Sequence, residues 1–247
     1  MNAEAVTSAD ASICRDCPDL FTGNSRRKLA YLLLKRTMDI VLAPLLLLLS
    51  SPILLLAILL IALDSEGAPI FVQERVGARY CWKDGRLVWR LCLFRCFKLR
   101  SMVDNSDPAI HKQYLWQFRH GQAAPGFAGA PFKLTRDKRV TRVGGLLRVT
   151  SLDELPQLIN VIKGDMSLVG PRPVPLYEVA LYDSAHYQRL AALPGITGMW
   201  QGYGRSRVTF GEMMELDIDY ARRSSLWLDI KLLLLTVPSV LSLKGAA

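Results

Sequence analysis

The sequence predicts an α/β fold that is mostly helical and includes one helix embedded in a membrane. Three observations lead to this fold class. Residues Ile40–Leu63 are apolar apart from Ser50 and Ser51 and two prolines. Residues 80–97 surround an Asp-Gly pair that is typical of a β-hairpin turn. Further along the chain, apolar residues recur with the three- and four-residue spacing of amphipathic helices.

Charge and cysteine content narrow the choice of compartment and partner. The 247-residue chain has a net charge of +9, which suits anionic lipid surfaces and phosphate-bearing substrates. No zinc-finger or RNP-type motif is present, so we expect no nucleic-acid partner. The five cysteines are an odd number, which argues against a disulfide framework and favours a reducing compartment; they are Cys14, Cys17, Cys81, Cys92 and Cys96.

The apolar run is expected to form the membrane segment, at residues 29–66, after a disordered tail at residues 1–28. Its 24 residues (Ile40–Leu63) would extend about 36 Å as a straight helix, against a hydrocarbon core of ~30 Å. However, Ser51-Pro52 lies in the middle, and a proline there kinks a helix. Two half-length arms fit a hairpin that enters and leaves on one side, whereas a kinked helix could still span the membrane.

The flanking charges do not decide between these topologies. The upstream flank is basic and the downstream flank begins with Asp64 and Glu66, which by the positive-inside rule places the downstream domain outside. A basic domain that contains cysteines nevertheless belongs in the cytoplasm. The residues alone therefore leave the orientation of the domain, residues 67–247, open.

Five segments of this domain have readable patterns. Pro69–Gly77 predicts a short strand, and Asp84-Gly85 predicts the hairpin turn after it. Pro108–Arg119 predicts an aromatic-rich amphipathic helix, either in the membrane interface or packed in the core. Leu176–Leu193 predicts one amphipathic helix, and Leu226–Leu243 predicts an apolar helix lying on the membrane surface.

Residues Thr150–Pro175 combine two adjacent carboxylates, a helix and an arginine between two prolines. Pro156 fits a first helical turn, so we expect the helix to begin close to Asp153. Asp153 and Glu154 would then lie at the positive end of the helix dipole, which also attracts phosphate. The guanidinium of Arg172 can bind phosphate oxygens in a bidentate manner. Four apolar residues have the spacing of one buried helix face: Leu155, Leu158, Ile159 and Ile162.

A purely structural interpretation fits the same residues. Ser151 and Glu154 have the spacing of an ordinary capping box, and spacing alone favours that interpretation. Arg172 taken alone fits an exposed arginine.

The segment SLDELPQLINVIKGDMSLVGPRPVP resembles the signature of the bacterial sugar transferases. These are monotopic phosphoglycosyl transferases, which load a sugar phosphate onto polyprenyl phosphate. Pro69–Gly77 resembles the family segment that follows the membrane helix. Three other segments resemble the same family, each with one departure. Phe97–Met102 has Leu99 in place of an aromatic residue, Arg136–Gly144 has Lys138 in place of a common proline, and Gly195–Ser206 has Gly202 as its departure. The resemblance extends over residues ~35 to 245, longer than one typical domain core.

This resemblance implies a fold and an activity. The Ser51-Pro52 break would mark a re-entrant anchor, with the catalytic domain on the cytoplasmic face of the bacterial inner membrane. The enzyme would transfer a hexose-1-phosphate from a UDP-sugar to undecaprenyl phosphate and release UMP. This would be the first membrane step of exopolysaccharide, capsule or O-antigen synthesis. The resemblance also implies contact with membrane lipids and is compatible with a homodimer.

The resemblance also assigns roles to residues. Asp153 would attack phosphorus and form an aspartyl phosphosugar, and Glu154 with Asp153 would hold Mg²⁺. Six basic residues would bind substrate: Lys98, Arg100, Arg136, Arg139, Arg172 and Arg205. Two other functions remain open, a membrane phosphatase that passes an aspartyl phosphate to water, and a non-catalytic membrane scaffold in which Asp153-Glu154 is only a helix cap.

Overall fold

A computed structural model shows a mostly helical protein with a small sheet. The structure describes residues 20–21, 25–83, 86–104, 106–107, 109–119, 137–203 and 208–241. One described helix, over Lys28–Asp64, is long and apolar enough to cross a membrane, and 11% of its most apolar window is buried in the protein. The mostly helical fold with one apolar N-terminal helix is therefore as predicted.

The apolar helix, α1 (Ser25–Asp64), continues through both of its prolines. Pro52 has no backbone N–H to donate to the carbonyl of Leu48 four residues earlier. The hydroxyl of Ser51 donates to that carbonyl oxygen instead, at 2.7 Å. The Ser-Pro pair thus places a proline inside the apolar segment while keeping the freed carbonyl hydrogen-bonded.

Both ends of α1 pack against the same domain. Near its beginning, Lys35 donates to Asp229 at 2.8 Å and Asp39 accepts from the hydroxyl of Ser167 at 3.0 Å. At its other end, Asp64 accepts from the backbone N–H of Val143 at 3.1 Å. Between these attachments, no residue from 44 to 56 is buried. The middle of α1 therefore projects an apolar surface away from the domain.

A long β-hairpin follows α1. Strands β2 (Ile70–Lys83) and β3 (Arg86–Leu99) pair antiparallel from Ile70↔Leu99 to Lys83↔Arg86. This register confirms the hairpin predicted around Asp84-Gly85, and the first strand runs beyond the predicted Pro69–Gly77. Strand β1 (Leu20–Phe21), within the predicted tail, pairs with β3.

The remaining elements are short. The helices are α2 (Ala109–Arg119), α3 (Arg142–Thr150), α4 (Gln157–Lys163), α5 (Leu176–Val179), α6 (Met199–Tyr203), α7 (Phe210–Arg223) and α8 (Leu226–Leu241). Two 3₁₀ turns occupy Leu152–Glu154 and His186–Leu190. Strands β4 (Ser167–Val169) and β5 (Gly195–Thr197) form a parallel pair. In α2, which was predicted, Tyr114 and Leu115 are buried.

The close approach of the β4 and β5 segments fixes the start of the proline-flanked arginine loop. A Cβ atom on Gly195 would lie 2.0 Å from the backbone nitrogen of Gly170, so any larger residue would force the two segments apart. Gly170 immediately precedes Pro171 and Arg172. The close packing of these two glycines therefore fixes the backbone position at which the loop that carries Arg172 begins.

The predicted buried face of α4 is correct at Leu158, which is buried, and wrong at Ile159 and Ile162, which are 41% and 37% exposed. Val161, which lies outside the predicted face, is buried instead. The reason is Asn160, which is fully buried because its side chain bonds the β3 backbone, accepting from Phe97 N at 3.0 Å and donating to Arg95 O at 2.6 Å. Because Asn160 must face β3 to make these hydrogen bonds, α4 is oriented with Ile159 and Ile162 toward the surface.

The single helix predicted over Leu176–Leu193 is also wrong. Helix α5 ends at Val179 and a separate 3₁₀ turn begins at His186. The break lets the buried side chains of Glu178 and Arg189 approach each other, with 3.6 Å between Oε1 and Nη1. This buried ion pair outweighs the local helical pattern.

Candidate active site

The two adjacent carboxylates lie in the 3₁₀ turn between α3 and α4. The backbone of Ser151 has a φ of 58°, which ends α3, and its side chain makes no capping hydrogen bond. The capping box suggested by the spacing of Ser151 and Glu154 is therefore absent. Helix α4 begins at Gln157, later than predicted, so both carboxylates precede it by a turn.

Two basic side chains from separate segments meet at Glu154. Its Oε1 accepts from Lys98 Nζ at 3.0 Å and from Arg172 Nη1 at 2.9 Å. Lys98 Nζ also lies 3.8 Å from Asp153 Oδ2. The structure thus brings together four of the residues chosen from the sequence, although their roles in catalysis stay predictions.

Electrostatics keeps the Arg172 guanidinium charged. Burial lowers the pKa of Arg172, but the facing Glu154 and then Asp153 outweigh it, and the net pKa is raised. Arg189 also donates to the backbone carbonyl oxygen of Arg172 at 3.3 Å, which restrains the backbone at this residue. Arg172 is therefore a fixed cation beside the two carboxylates.

This cluster opens into a cavity of about 350 Å³. Asp153 and Glu154 line it, as do Tyr177 and His111 on the neighbouring segments. Six of its lining residues are basic: Arg75, Lys98, Arg100, Arg139, Arg148 and Arg172. A small cavity with two carboxylates and this many cations suits a phosphorylated substrate.

The other predicted substrate-binding residues have different surroundings. Arg100 lines the cavity but donates to the backbone oxygen of Ser65 at 2.6 Å, just beyond the end of α1. Arg139 also lines it and pairs with Asp137 at 2.7 Å, which lowers the pKa of that carboxyl. Both arginines therefore have structural partners at the cavity wall. Arg136 and Arg205 lie outside the described residues.

Sequence reasoning missed several cavity residues. Arg75 lies in the segment Pro69–Gly77, whose resemblance to the family could have drawn attention to it. Arg148 lies in the last turn of α3, before the two carboxylates, and lines the same cavity. Tyr177 and His111 carry no signal in a single sequence, because only the fold places α2 beside α5.

His111 is uncharged at neutral pH. Burial lowers its pKa to about 4, assisted by the nearby positive charges of Arg75, Arg139 and Arg172. Its Nδ1 lies 2.8 Å from the hydroxyl of Tyr177. This part of the cavity therefore offers neutral hydrogen-bonding groups beside its cations.

The carboxylate pair fits Mg²⁺ as a partial site. No group of three or more His, Cys, Asp and Glu residues forms a complete metal cage in the part of the chain that the structure describes. Mg²⁺ commonly binds through one or two carboxylates and completes its shell with substrate phosphates and water. Asp153 and Glu154 in a cavity of cations fit that pattern.

Comparisons with known proteins agree on one family. A profile described as bacterial sugar transferase matches residues 30–243. The chain is 40% identical over 227 residues to the UDP-galactose-lipid carrier transferase of Erwinia amylovora, covering 92% of this chain and 44% of that relative. It is 38% identical over 212 residues to the exopolysaccharide production protein ExoY of Rhizobium meliloti, covering 86% and 87%.

A third relative is the UDP-glucose:undecaprenyl-phosphate glucose-1-phosphate transferase of Caulobacter vibrioides. It is 39% identical over 233 residues, which cover 91% of this chain and 76% of the relative. The chain spans 44% of the length of the Erwinia amylovora relative and of two further relatives. Because the profile covers nearly all of the sequence and several relatives are close to 40% identical, the chain belongs to the bacterial sugar transferase family.

Proposed function

We propose that the protein transfers a hexose-1-phosphate from a UDP-sugar to undecaprenyl phosphate and releases UMP. One observation carries the proposal: Asp153, Glu154, Lys98 and Arg172 converge at one end of a basic cavity. The names of the relatives support the reaction class, since they include transferases of galactose and glucose phosphates to a lipid carrier. ExoY further supports a place in exopolysaccharide production.

The reaction would proceed in two displacements at phosphorus. A carboxylate oxygen of Asp153 attacks the phosphorus that bears the sugar, and the bond from that phosphorus to the UMP oxygen breaks. The product of this half-reaction is an aspartyl phosphosugar. An oxygen of undecaprenyl phosphate then attacks the same phosphorus, and the bond to Asp153 breaks to regenerate the carboxylate.

The neighbouring residues would position and neutralise the phosphates. Lys98 and Arg172 retain N–H groups beyond those that hold Glu154, and these can bind phosphate oxygens while the two side chains stay in place. Arg148 adds a third cation at the cavity wall. When bound by Asp153 and Glu154, Mg²⁺ would offset the negative charge that develops on the transferred group.

The membrane geometry supports delivery of a lipid acceptor. Attachment of both ends of α1 to one domain, with an exposed apolar middle, favours a re-entrant anchor over a spanning helix. Helices α4 and α8 contact α1 and expose apolar side chains, among them Ile159, Ile162, Trp227 and Leu234. We propose that these residues lie in the inner leaflet of the cytoplasmic membrane and that the domain faces the cytoplasm.

A screen of UDP-sugars for UMP release tests the proposed reaction. The purified protein is incubated with each UDP-sugar and Mg²⁺, with and without undecaprenyl phosphate, and lipid products are identified by mass. A lipid diphosphate sugar with stoichiometric UMP is the expected result. Free sugar phosphate with no lipid product would favour the phosphatase, and no UMP with any UDP-sugar would favour the scaffold. Asp153→Asn is the matched inactive control.

A further inference from the structure

Arg75 on strand β2 is a cavity cation whose hydrogen bonds go to neutral groups. Its Nη1 donates to the carbonyl oxygen of Pro173 at 3.2 Å, and its Nη2 donates to Gln73 Oε1 at 2.6 Å. Within the described residues, no carboxylate lies within salt-bridge distance of it. Three other cations of the cavity do have such partners: Lys98, Arg139 and Arg172.

The surroundings of Arg75 favour an anion. Burial lowers the pKa of its guanidinium, and the neighbouring charge of Arg172 lowers it further. Glu178 is the carboxylate that acts on Arg75 from a distance, but it pairs directly with Arg189. A partly desolvated cation without an ion pair of its own raises the free energy of the folded protein. A guanidinium has five N–H groups, and Arg75 uses two of them, so it can still bind two phosphate oxygens.

A chain of neutral hydrogen-bonding side chains continues from Arg75 along the cavity wall. Gln73 accepts from Arg75 through its oxygen, so its amide nitrogen is the group that bonds Tyr177. The Tyr177 hydroxyl can then donate to Nδ1 of His111, at 2.8 Å. Because His111 is neutral, this leaves its Nε2–H as a donor. The wall thus offers a cation at one end and uncharged polar groups at the other.

We propose that Arg75 binds the phosphate of the departing nucleotide, and that Gln73, Tyr177 and His111 contact its nucleoside. This inference rests on the proposed transfer reaction. It assigns a role to the part of the cavity that lies beyond the cluster of Asp153, Glu154, Lys98 and Arg172. In a displacement at phosphorus the leaving group departs in line with the nucleophile and away from it. The wall begins at Pro173, next to Arg172, and continues to His111, so it gives the nucleotide a path away from Asp153.

The chemistry of this wall distinguishes the nucleotide from the other phosphate in the reaction. A polyprenyl phosphate also carries a phosphate, but an isoprenoid chain gains affinity from apolar surface. Apolar residues also line the cavity, but the groups that continue by hydrogen bonds from Arg75 are an amide, a phenol and an imidazole. They match the hydroxyl, carbonyl and N–H groups of a nucleoside.

Direct binding of UMP tests the proposal. Isothermal titration calorimetry on the full chain in detergent would compare wild type with Arg75→Met and Tyr177→Phe. Loss of a charge-assisted contact should weaken UMP binding by roughly tenfold or more in Arg75→Met, and loss of one neutral hydrogen bond by about threefold in Tyr177→Phe. Arg79→Met is the matched control, because Arg79 is on the same strand but its side chain is 63% exposed and paired with Asp165.

Three results would overturn the inference. These are absence of UMP binding to wild type, unchanged UMP affinity in Arg75→Met, and weakened binding of undecaprenyl phosphate with UMP affinity intact. In titrations without Mg²⁺, Asp153→Asn should keep its UMP affinity, which separates nucleotide binding from the chemical step. If Arg75→Met does not fold, Arg75→Lys keeps the charge and should still bind UMP less tightly, because it loses the planar fork. If the wild-type protein performs the transfer and both Arg75 variants bind UMP normally, the proposed function stands and only this inference is removed.

Discussion

Replacing Arg189 with methionine should destabilise the domain behind the active site. The side chain of Arg189 is fully buried and forms ion pairs with Glu178 and Asp217, which are 2% and 0% exposed. It also donates to the hydroxyl of Tyr182. Arg189→Met keeps much of the side-chain volume but leaves two carboxyl groups buried without their cation.

The size of the effect follows from that burial. Removing one partner of a buried ion pair costs about 3–5 kcal/mol. For a domain of this size, that corresponds to a fall in the melting temperature of roughly 6–20 °C. The matched control is Arg223→Met, because the Arg223 side chain is 75% exposed and its pair with Asp219 lies on the surface of α7. Exposed pairs of this kind contribute about 0.5 kcal/mol or less.

The Arg189→Met defect should also depend on pH. Burial raises the pKa of Glu178 and of Asp217 in the folded protein, and Arg189 opposes that rise. Without Arg189 both pKa values rise further above the unfolded value of about 4. An acid with a raised folded pKa binds its proton more tightly when folded, so stability falls as pH increases through that range. The defect should therefore be larger at pH 8 than at pH 5.

Thermal unfolding in detergent, followed by circular dichroism at the two pH values, measures both effects. A melting temperature for Arg189→Met as high as that of Arg223→Met would refute the reasoning. A defect of equal size at both pH values would also refute it.

Three further predictions concern the reaction and the anchor. Arg172→Lys should lower transfer activity about tenfold or more, because lysine keeps the charge but lacks the planar fork; near-normal steady-state rates would contradict a bidentate role. Glu154→Gln should raise the Mg²⁺ concentration needed for half-maximal activity and regain part of its rate at high Mg²⁺, and an unchanged requirement would exclude Glu154 as a ligand. Cysteines introduced at positions 30 and 70 should both be protected from a periplasmic thiol reagent, and labelling at 70 alone would establish a spanning helix.

Local patterns in the sequence were sufficient where short-range chemistry sets the structure. The Asp84-Gly85 turn predicted the hairpin, and the apolar run predicted α1, because neither depends on distant residues. The predictions for Ile159 and Ile162 in α4 and for a single helix over Leu176–Leu193 failed because buried polar contacts override helical periods. Asn160 bonds the backbone of Arg95, 65 residues earlier in the chain, and Glu178 pairs with Arg189 near the other end of the same predicted helix.

The candidate site divides in the same way. Asp153 and Glu154 are adjacent in the sequence and recognisable from it, whereas their contacts with Lys98 and Arg172 depend on how β3 and the proline-flanked loop fold together. His111 and Tyr177 are 66 residues apart and could not be paired from one sequence. The two carboxylates could be recognised from the local sequence, whereas the cavity wall formed by Gln73, Tyr177 and His111 depends on the tertiary fold.

The most direct test of the proposed mechanism is the mass of the protein after the first half-reaction. Wild-type protein is incubated with its UDP-sugar and Mg²⁺ in the absence of lipid acceptor, then digested and analysed by mass spectrometry. The mechanism predicts a mass increase of one hexose phosphate on the peptide that contains Asp153, stoichiometric UMP, and no adduct in Asp153→Asn. An adduct on another residue, or full transfer activity in Asp153→Asn, would contradict Asp153 as the nucleophile.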